Sequence, residues 1–179
     1  MAKIYTRKGD SGLTGLLHGV RVEKSDPRIE AIGCIDELNC AVGVLMSYIV
    51  EEHIDDLAIT QDLFICQNNL FTLGSQLADT KEEYIDTQSD VTLLEERIDA
   101  MTEHLAPLKN FILPAGNKCV AWTHYVRTVT RRAERTVTLL NNTSFIPYLN
   151  RLSDYFFTLA RFLMLKLGNE EIIWQGKRK

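Results

Sequence analysis

Four arginines, Arg127, Arg131, Arg132 and Arg135, fall within nine positions of a stretch whose apolar residues recur at helical spacing. Trp122, Val126, Val129, Ala133, Val137 and Leu140 make the apolar stripe of that helix. His124, Arg127, Arg131, Glu134, Arg135 and Thr138 make a second stripe, offset from the first. Like charges at i, i+4 and i+8 repel unless an anion or a carboxylate lies between them. Arginine is also the cation suited to bidentate contact with phosphate or carboxylate. A solvated helix face is the plain reading of any charged stripe. An anion site is the more specific one, and the choice of arginine throughout favours it.

Two other segments carry polar residues beside apolar stripes. Ile32, Asp36, Asn39 and Gly43 flank the row Ala31, Ile35, Leu38, Val42, Leu45 and Ile49. Asn150, Asp154, Phe157 and Arg161 flank Leu149, Leu152, Phe156, Leu159 and Leu163. Charge near a buried face must be paired, so these groups either neutralise one another in a structural network or line a site. A third element is the N-terminal run Thr6-Arg7-Lys8-Gly9-Asp10-Ser11-Gly12-Leu13-Thr14-Gly15. Its glycines let backbone N–H groups converge on phosphate oxygens, while lysine and hydroxyls add charge and donors. It lacks the spacing of a Walker loop. Gly9-Asp10-Ser11-Gly12 echoes the nucleophile segment of trypsin-like proteases, but those enzymes need a two-barrel β fold that this sequence does not encode.

The elements that must position these groups are helical. Residues 1–25 read as an ordered arm or a loop with room for a short hairpin. Asp26-Pro27 supplies an N-cap and a first-turn proline for a helix ending near Glu51. A second helix runs from about Ile54 to Leu77, with Leu63, Leu70, Phe71 and Leu77 among its apolar positions. A polar loop spans Asp79 to Asp90, and Thr92-Leu93-Leu94-Glu95 reads as a capping box opening a third helix that reaches about Leu105. Pro107, Pro114 and Gly116 bracket a connector holding Phe111-Ile112-Leu113. The fourth helix spans about Lys118 to Leu140, Asn141-Asn142-Thr143-Ser144 breaks it, and the fifth runs from near Pro147 to Leu167. The end, Gly176-Lys177-Arg178-Lys179, is expected to fray. Five long helices with few strand signals predict an all-α bundle in one domain: arm 1–25, bundle 26–167, tail 168–179.

Composition bounds the function. The 179 residues suit one core, and a net charge of -4 (20 Lys+Arg, 24 Asp+Glu) disfavours general nucleic-acid binding. No segment has the roughly 18 apolar residues of a membrane span, and the first eight residues do not resemble a signal peptide, so a cytoplasmic location is expected. Cys34, Cys40, Cys66 and Cys119 show no metal-binding or disulfide spacing and read as free thiols. A carboxylate-bridged di-iron centre is excluded, because none of His18, His53, His104 or His124 has a glutamate three residues before it.

Taken in order, the motifs resemble those of the PduO-type ATP:cob(I)alamin (corrinoid) adenosyltransferases. Tyr5 to Thr14 is similar to the family's opening block. Arg21-Val22, Lys24, Asp26, Arg28, Glu30-Ala31 and Gly33, with Asp36-Glu37-Leu38-Asn39, resemble the next. Phe111-Ile112-Leu113-Pro114, Arg127 and Arg131-Arg132-Ala133-Glu134-Arg135 resemble the central signature, and Tyr148-Leu149-Asn150-Arg151-Leu152-Ser153-Asp154 the last. Two places depart from the family pattern. Gly15 stands for a hydroxyl residue and His18 for a glycine, and Ala115 stands for the first glycine after Pro114. Both departures bear on ATP binding rather than on the fold.

The resemblance implies a ferritin-like five-helix bundle, a homotrimer with sites between subunits, and transfer of the 5′-deoxyadenosyl group of ATP to Co(I) of cobalamin. Thr6, Arg7, Lys8, Gly9, Asp10, Ser11, Gly12, Thr14 and Lys24 would hold the triphosphate, with Mg2+ bound mainly through ATP. Arg131, Glu134, Arg135 and Asn150 would complete the nucleotide site. Asp36 would pair with Arg127 on the corrinoid side, and Phe111 would press on the lower corrin face and displace the axial base. A reductase and a B12-dependent acceptor enzyme are the implied partners. A non-catalytic corrinoid or nucleotide carrier of the same fold is the alternative.

Overall fold

The computed structural model describes residues 3–79, 81, 86–140 and 144–176. Asn141, Asn142 and Thr143 of the expected helix break, part of the expected polar loop (Thr80 and residues 82–85) and Lys177 to Lys179 lie outside the described residues. In chain order the elements are strand β1 (Leu13–Gly15), a 3₁₀ turn (Leu17–Gly19), strand β2 (Arg21–Glu23), and helices α1 (Pro27–Glu51), α2 (Leu57–Ala78), α3 (Gln88–Thr102), α4 (Lys118–Thr138) and α5 (Ile146–Lys166). The fold is a five-helix bundle, as expected. The short hairpin is the arm's own: β1 and β2 pair antiparallel, Thr14 opposite Val22.

Helix starts follow side-chain acceptors. Asp26 accepts from the Arg28 N–H at 2.8 Å, and Pro27 occupies the first turn, where a missing N–H costs nothing. Asp56 accepts from Ile59 N–H at 3.2 Å and Asn117 from Val120 N–H at 3.0 Å, opening α2 and α4. The third helix corrects the sequence reading. It begins at Gln88, one turn before the capping box, where Asp86 accepts from the Gln88 N–H at 2.9 Å. Thr92 therefore lies inside the helix, donating its hydroxyl to the Gln88 carbonyl at 3.0 Å.

Helix α1 packs on α2 and α4, α4 on α5, and α5 on α3. Polar links close the ring between α2 and α3: Arg97 to Asp62 at 3.0 Å and Asn69 to Asp90 at 2.9 Å. The apolar rows predicted for α1 and α5 are buried throughout, as are Val126, Val129, Ala133 and Val137 of α4. Trp122 is half-buried and donates its indole N–H to the Ala41 carbonyl at 2.9 Å, pinning α4 to α1. Leu63, Leu70 and Leu77 enter the core, but Phe71 is 75% exposed, because it sits about 100° round the helix from Leu70.

The chain after α5 turns back. Leu113 donates its N–H to the Ile172 carbonyl at 2.7 Å and Trp174 to that of Phe111 at 2.8 Å, forming a bridge between Ile112 and Ile173. Arg161, buried near the end of α5, pairs with Glu171 and donates to the Ala106 carbonyl at 2.8 Å. The connector is thus tied to the segment beyond the helices, a pairing that helical periodicity did not signal.

Candidate functional site

The arginines of α4 separate into two kinds. Arg132 pairs with Glu37 of α1, a structural ion pair that holds its guanidinium above the usual range. Likewise Arg151 bonds Glu95 and Asp154, and Arg161 bonds Glu171. These pairs account for Asp154 and Arg161 on α5 without any ligand. Arg127, Arg131 and Arg135 differ: among the described residues none of them has a carboxylate partner. Arg135 donates to the Arg131 backbone carbonyl at 3.0 Å, which aligns the two side chains along one face. Glu134, between them, accepts from Asn150 of α5 at 3.0 Å. Arg131, Glu134 and Arg135 of α4 and Asn150 of α5, which the family resemblance assigned to the nucleotide, therefore form one continuous patch.

One turn toward the helix start, the face becomes buried. Arg127 is half-buried, and its Nε is out of water with no hydrogen-bond partner. Burial, and then the charge of Arg131, hold this guanidinium below its usual range. His124 is 4% exposed with its Nδ1 unpartnered, and burial followed by the Arg127 charge pushes the imidazole down to about 4. It is neutral at physiological pH. Orphaned buried polar atoms are rare in folded proteins, and these two lie three residues apart on one helix.

Asp36 does not meet Arg127 within one chain. Glu37 faces α4, where Arg132 takes it, so Asp36 points about 100° away. It lines a groove of about 450 Å³ between α1 and α2 together with Leu17, Ile32, Asn39 and Phe71. Asn39 donates to the Gln67 carbonyl and Gln67 returns a bond to the Asn39 carbonyl, both at 3.2 Å. The polar face of α1 is thus the seam with α2, not with α4.

The arm is a built loop. Arg21 donates to the Lys8 carbonyl at 2.6 Å, and the Lys24 N–H to the Gly12 carbonyl at 2.8 Å. The Lys24 side chain packs across Gly9, with its ammonium 3.4 Å from where a Cβ would stand. Gly12 has φ +86°, a conformation that glycine adopts without strain. Thr6, Arg7, Lys8, Asp10, Ser11 and Lys24 are exposed, and Thr14 is half-buried in β1. Among the described residues no hydrogen bond or ion pair joins this arm to the α4 patch.

Phe111 is 78% exposed on a connector fixed by backbone bonds on both sides. Trp174 packs edge-on against it at 6.2 Å, and the two share an open groove of about 450 Å³ with Leu108, Lys109 and Asn110. Trp174 escaped the sequence reading; its one signal was an aromatic after two isoleucines in an otherwise polar tail. In the neighbouring turn, Gly116 has φ +137°, and a Cβ there would lie 2.7 Å from the Met164 side chain. Only the second position after Pro114 needs glycine, which explains why Ala115 is tolerated.

A helical bundle with an unpaired arginine row and a glycine-rich, lysine-bearing hairpin is of the anion- and nucleotide-binding class. The chain belongs to the cobalamin adenosyltransferase family, whose model matches residues 4–163. It is 41% identical to the corrinoid adenosyltransferase of Bacillus subtilis (strain 168), covering 97% of this chain and 92% of that protein. It is 37% identical to corrinoid adenosyltransferase MMAB of Homo sapiens, covering 96% and 73%. A solved variant of a PduO-type ATP:corrinoid adenosyltransferase from Lactobacillus reuteri, complexed with cobalamin and ATP, superposes with a TM-score of 0.90. That neighbour is 33% identical and covers 97% of this chain and 100% of its own.

Proposed function

We propose that this chain transfers the 5′-deoxyadenosyl group of ATP to Co(I) of cobalamin. In that reaction the substrate cobalt donates its electron pair to C5′, the C5′–O bond breaks, and triphosphate leaves with the bonding pair. The products are adenosylcobalamin and triphosphate. No protein nucleophile or base is required; the chain must position two substrates and stabilise charge gathering on the leaving phosphates. The single observation that carries the reading is the row Arg127, Arg131 and Arg135, left without carboxylates while the neighbouring arginines are paired.

In this reading the backbone N–H groups of Thr6 to Thr14, with Lys8 and Lys24, receive the triphosphate. Arg131 and Arg135 add positive charge, while Glu134 and Asn150, already bonded to each other, orient the nucleoside. Mg2+ comes with ATP, whose phosphate oxygens suit this cation. Phe111 serves the corrin from below, since an apolar ring keeps an axial position free of ligating oxygen or nitrogen. The arm and the α4 patch, unjoined by any hydrogen bond or ion pair among the described residues, and the orphaned Arg127 Nε favour a homotrimer in which Asp36 of one copy pairs with Arg127 of the next. We place the protein in the cytoplasm, supplied by a reductase and serving a B12-dependent enzyme. Among the described residues no helix is long and apolar enough to cross a membrane.

The test is anaerobic incubation of the protein with pre-reduced cob(I)alamin and MgATP. The expected result is adenosylcobalamin and triphosphate in equal amounts. Corrinoid binding without either product would make the chain a carrier and end the enzymatic reading.

A further inference from the structure

Among the described residues, covalent continuity and one side-chain hydrogen bond join the arm to the bundle. The continuity is the run into α1. The hydrogen bond is at the hairpin's tip, where His18 Nε2 meets the Asp79 carboxylate at 3.0 Å across 61 positions of sequence. Among the described residues, this is the sole side-chain hydrogen bond or ion pair between residues 3–25 and helices α2 to α5 or their caps. Asp79 is the C-cap of α2 and is itself held. The same carboxylate oxygen accepts from the Lys81 N–H at 2.9 Å, and its carbonyl accepts from Arg28 of α1 at 3.3 Å. One residue therefore ties together the hairpin tip, the start of α1 and the end of α2.

His18 sits at φ +59°, ψ +21°, followed by Gly19 at φ +81°. The left-handed region disfavours residues with a Cβ. A histidine there is disfavoured locally and gains its compensation through the contact it makes. The hairpin behaves as one piece, because Leu16 bonds Val20 and Lys24 bonds Gly12, each at 2.8 Å. Fixing its tip consequently fixes the loop of Lys8 to Gly12 at its other end. Leu17, next to the clasp, enters the α1–α2 groove beside Ile29 and Ile32 and seats the same turn.

We infer that His18, acting through Asp79, is a positioning residue that clasps the hairpin tip to the bundle and so sets where the phosphate-holding loop stands. The inference rests on the reading of the arm as the triphosphate cradle. In the full-length protein, three variants separate its parts. Asp79→Ala removes the acceptor, and Asp79→Asn keeps an acceptor oxygen. His18→Asn tolerates the left-handed backbone but is too short to reach. Amide hydrogen exchange over residues 16–24 without ATP reads the clasp, and steady-state kinetics read its consequence.

His18→Asn and Asp79→Ala are expected to speed exchange and to raise KM for ATP about three- to tenfold, the weight of one partly exposed hydrogen bond. Their kcat should stay within about twofold, and Asp79→Asn should stay near wild type. Unchanged exchange in both disrupting variants would overturn the clasp. Faster exchange with unmoved KM would overturn its positioning role. A wild-type protein that neither turned over nor bound ATP would instead remove the cradle reading and the positioning role with it, while exchange would still report whether the tip is held.

Discussion

Arg131 has no carboxylate partner among the described residues, and its side chain is exposed. Arg131→Ala should therefore lower kcat by about a hundredfold or more, the size of losing one transition-state donor, with an unchanged melting temperature. Steady-state assays beside a thermal scan would check both halves. Phe111, exposed on a rigid connector, makes a different prediction: Phe111→Ala should depress turnover from Co(II) far more than turnover from pre-reduced Co(I). Equal losses in the two assays would count against the axial role. His124 predicts a pH effect. Its folded value of about 4 lies below the ordinary 6.5, so as pH falls the unfolded chain takes up the proton first. Stability should decline from about pH 6.5 to about pH 4, by at most about 1.4 kcal/mol per unit, and urea titrations of His124→Gln should flatten that slope. The arginines were legible in the sequence because their types and spacing are local. That Arg132 is neutralised and Arg131 is not depends on Glu37, 95 positions away.

Helices α1, α4 and α5 were readable nearly to the residue, since each combines a cap or first-turn proline with an apolar row that its neighbours bury. The third helix was misplaced by one turn because a capping-box pattern also fits a helix interior. What chose the earlier start was Asp86 with the burial of Val91, and burial is not written in the local sequence. The connector and the end of the chain were the least readable, because a two-residue bridge leaves no periodicity. Gly116 belongs to that region, and Gly116→Ala should cost about 1–3 kcal/mol in unfolding free energy through the Met164 clash and the positive φ. An equilibrium denaturation midpoint equal to wild type would contradict that packing.

For the molecule as a whole, the central fact is that, among the described residues, no hydrogen bond or ion pair joins the arm to the α4 patch, and that Asp36 lines the α1–α2 groove while the buried Arg127 Nε has no partner. If neighbouring copies complete each other's sites, Asp36→Ala and Arg127→Ala should each be impaired alone. Mixing the two chains through dissociation and reassembly should then restore a fraction of wild-type turnover, because some interfaces regain both residues. Failure of any mixture to exceed its parents, with subunit exchange verified by mass, would argue against a shared site.

The sequence by itself determined the number and kind of helices, their buried rows, the arginine stripe and the glycine-rich loop, since helical periodicity, capping and turn chemistry act over a few residues. Its ordered motifs also carried the family. Only the tertiary structure decided which charges find partners, that the polar face of α1 meets α2, that Trp174 stands against Phe111, and that His18 reaches Asp79. Each of these joins positions far apart in the chain, and such pairings are fixed by how the helices pack rather than by any local preference.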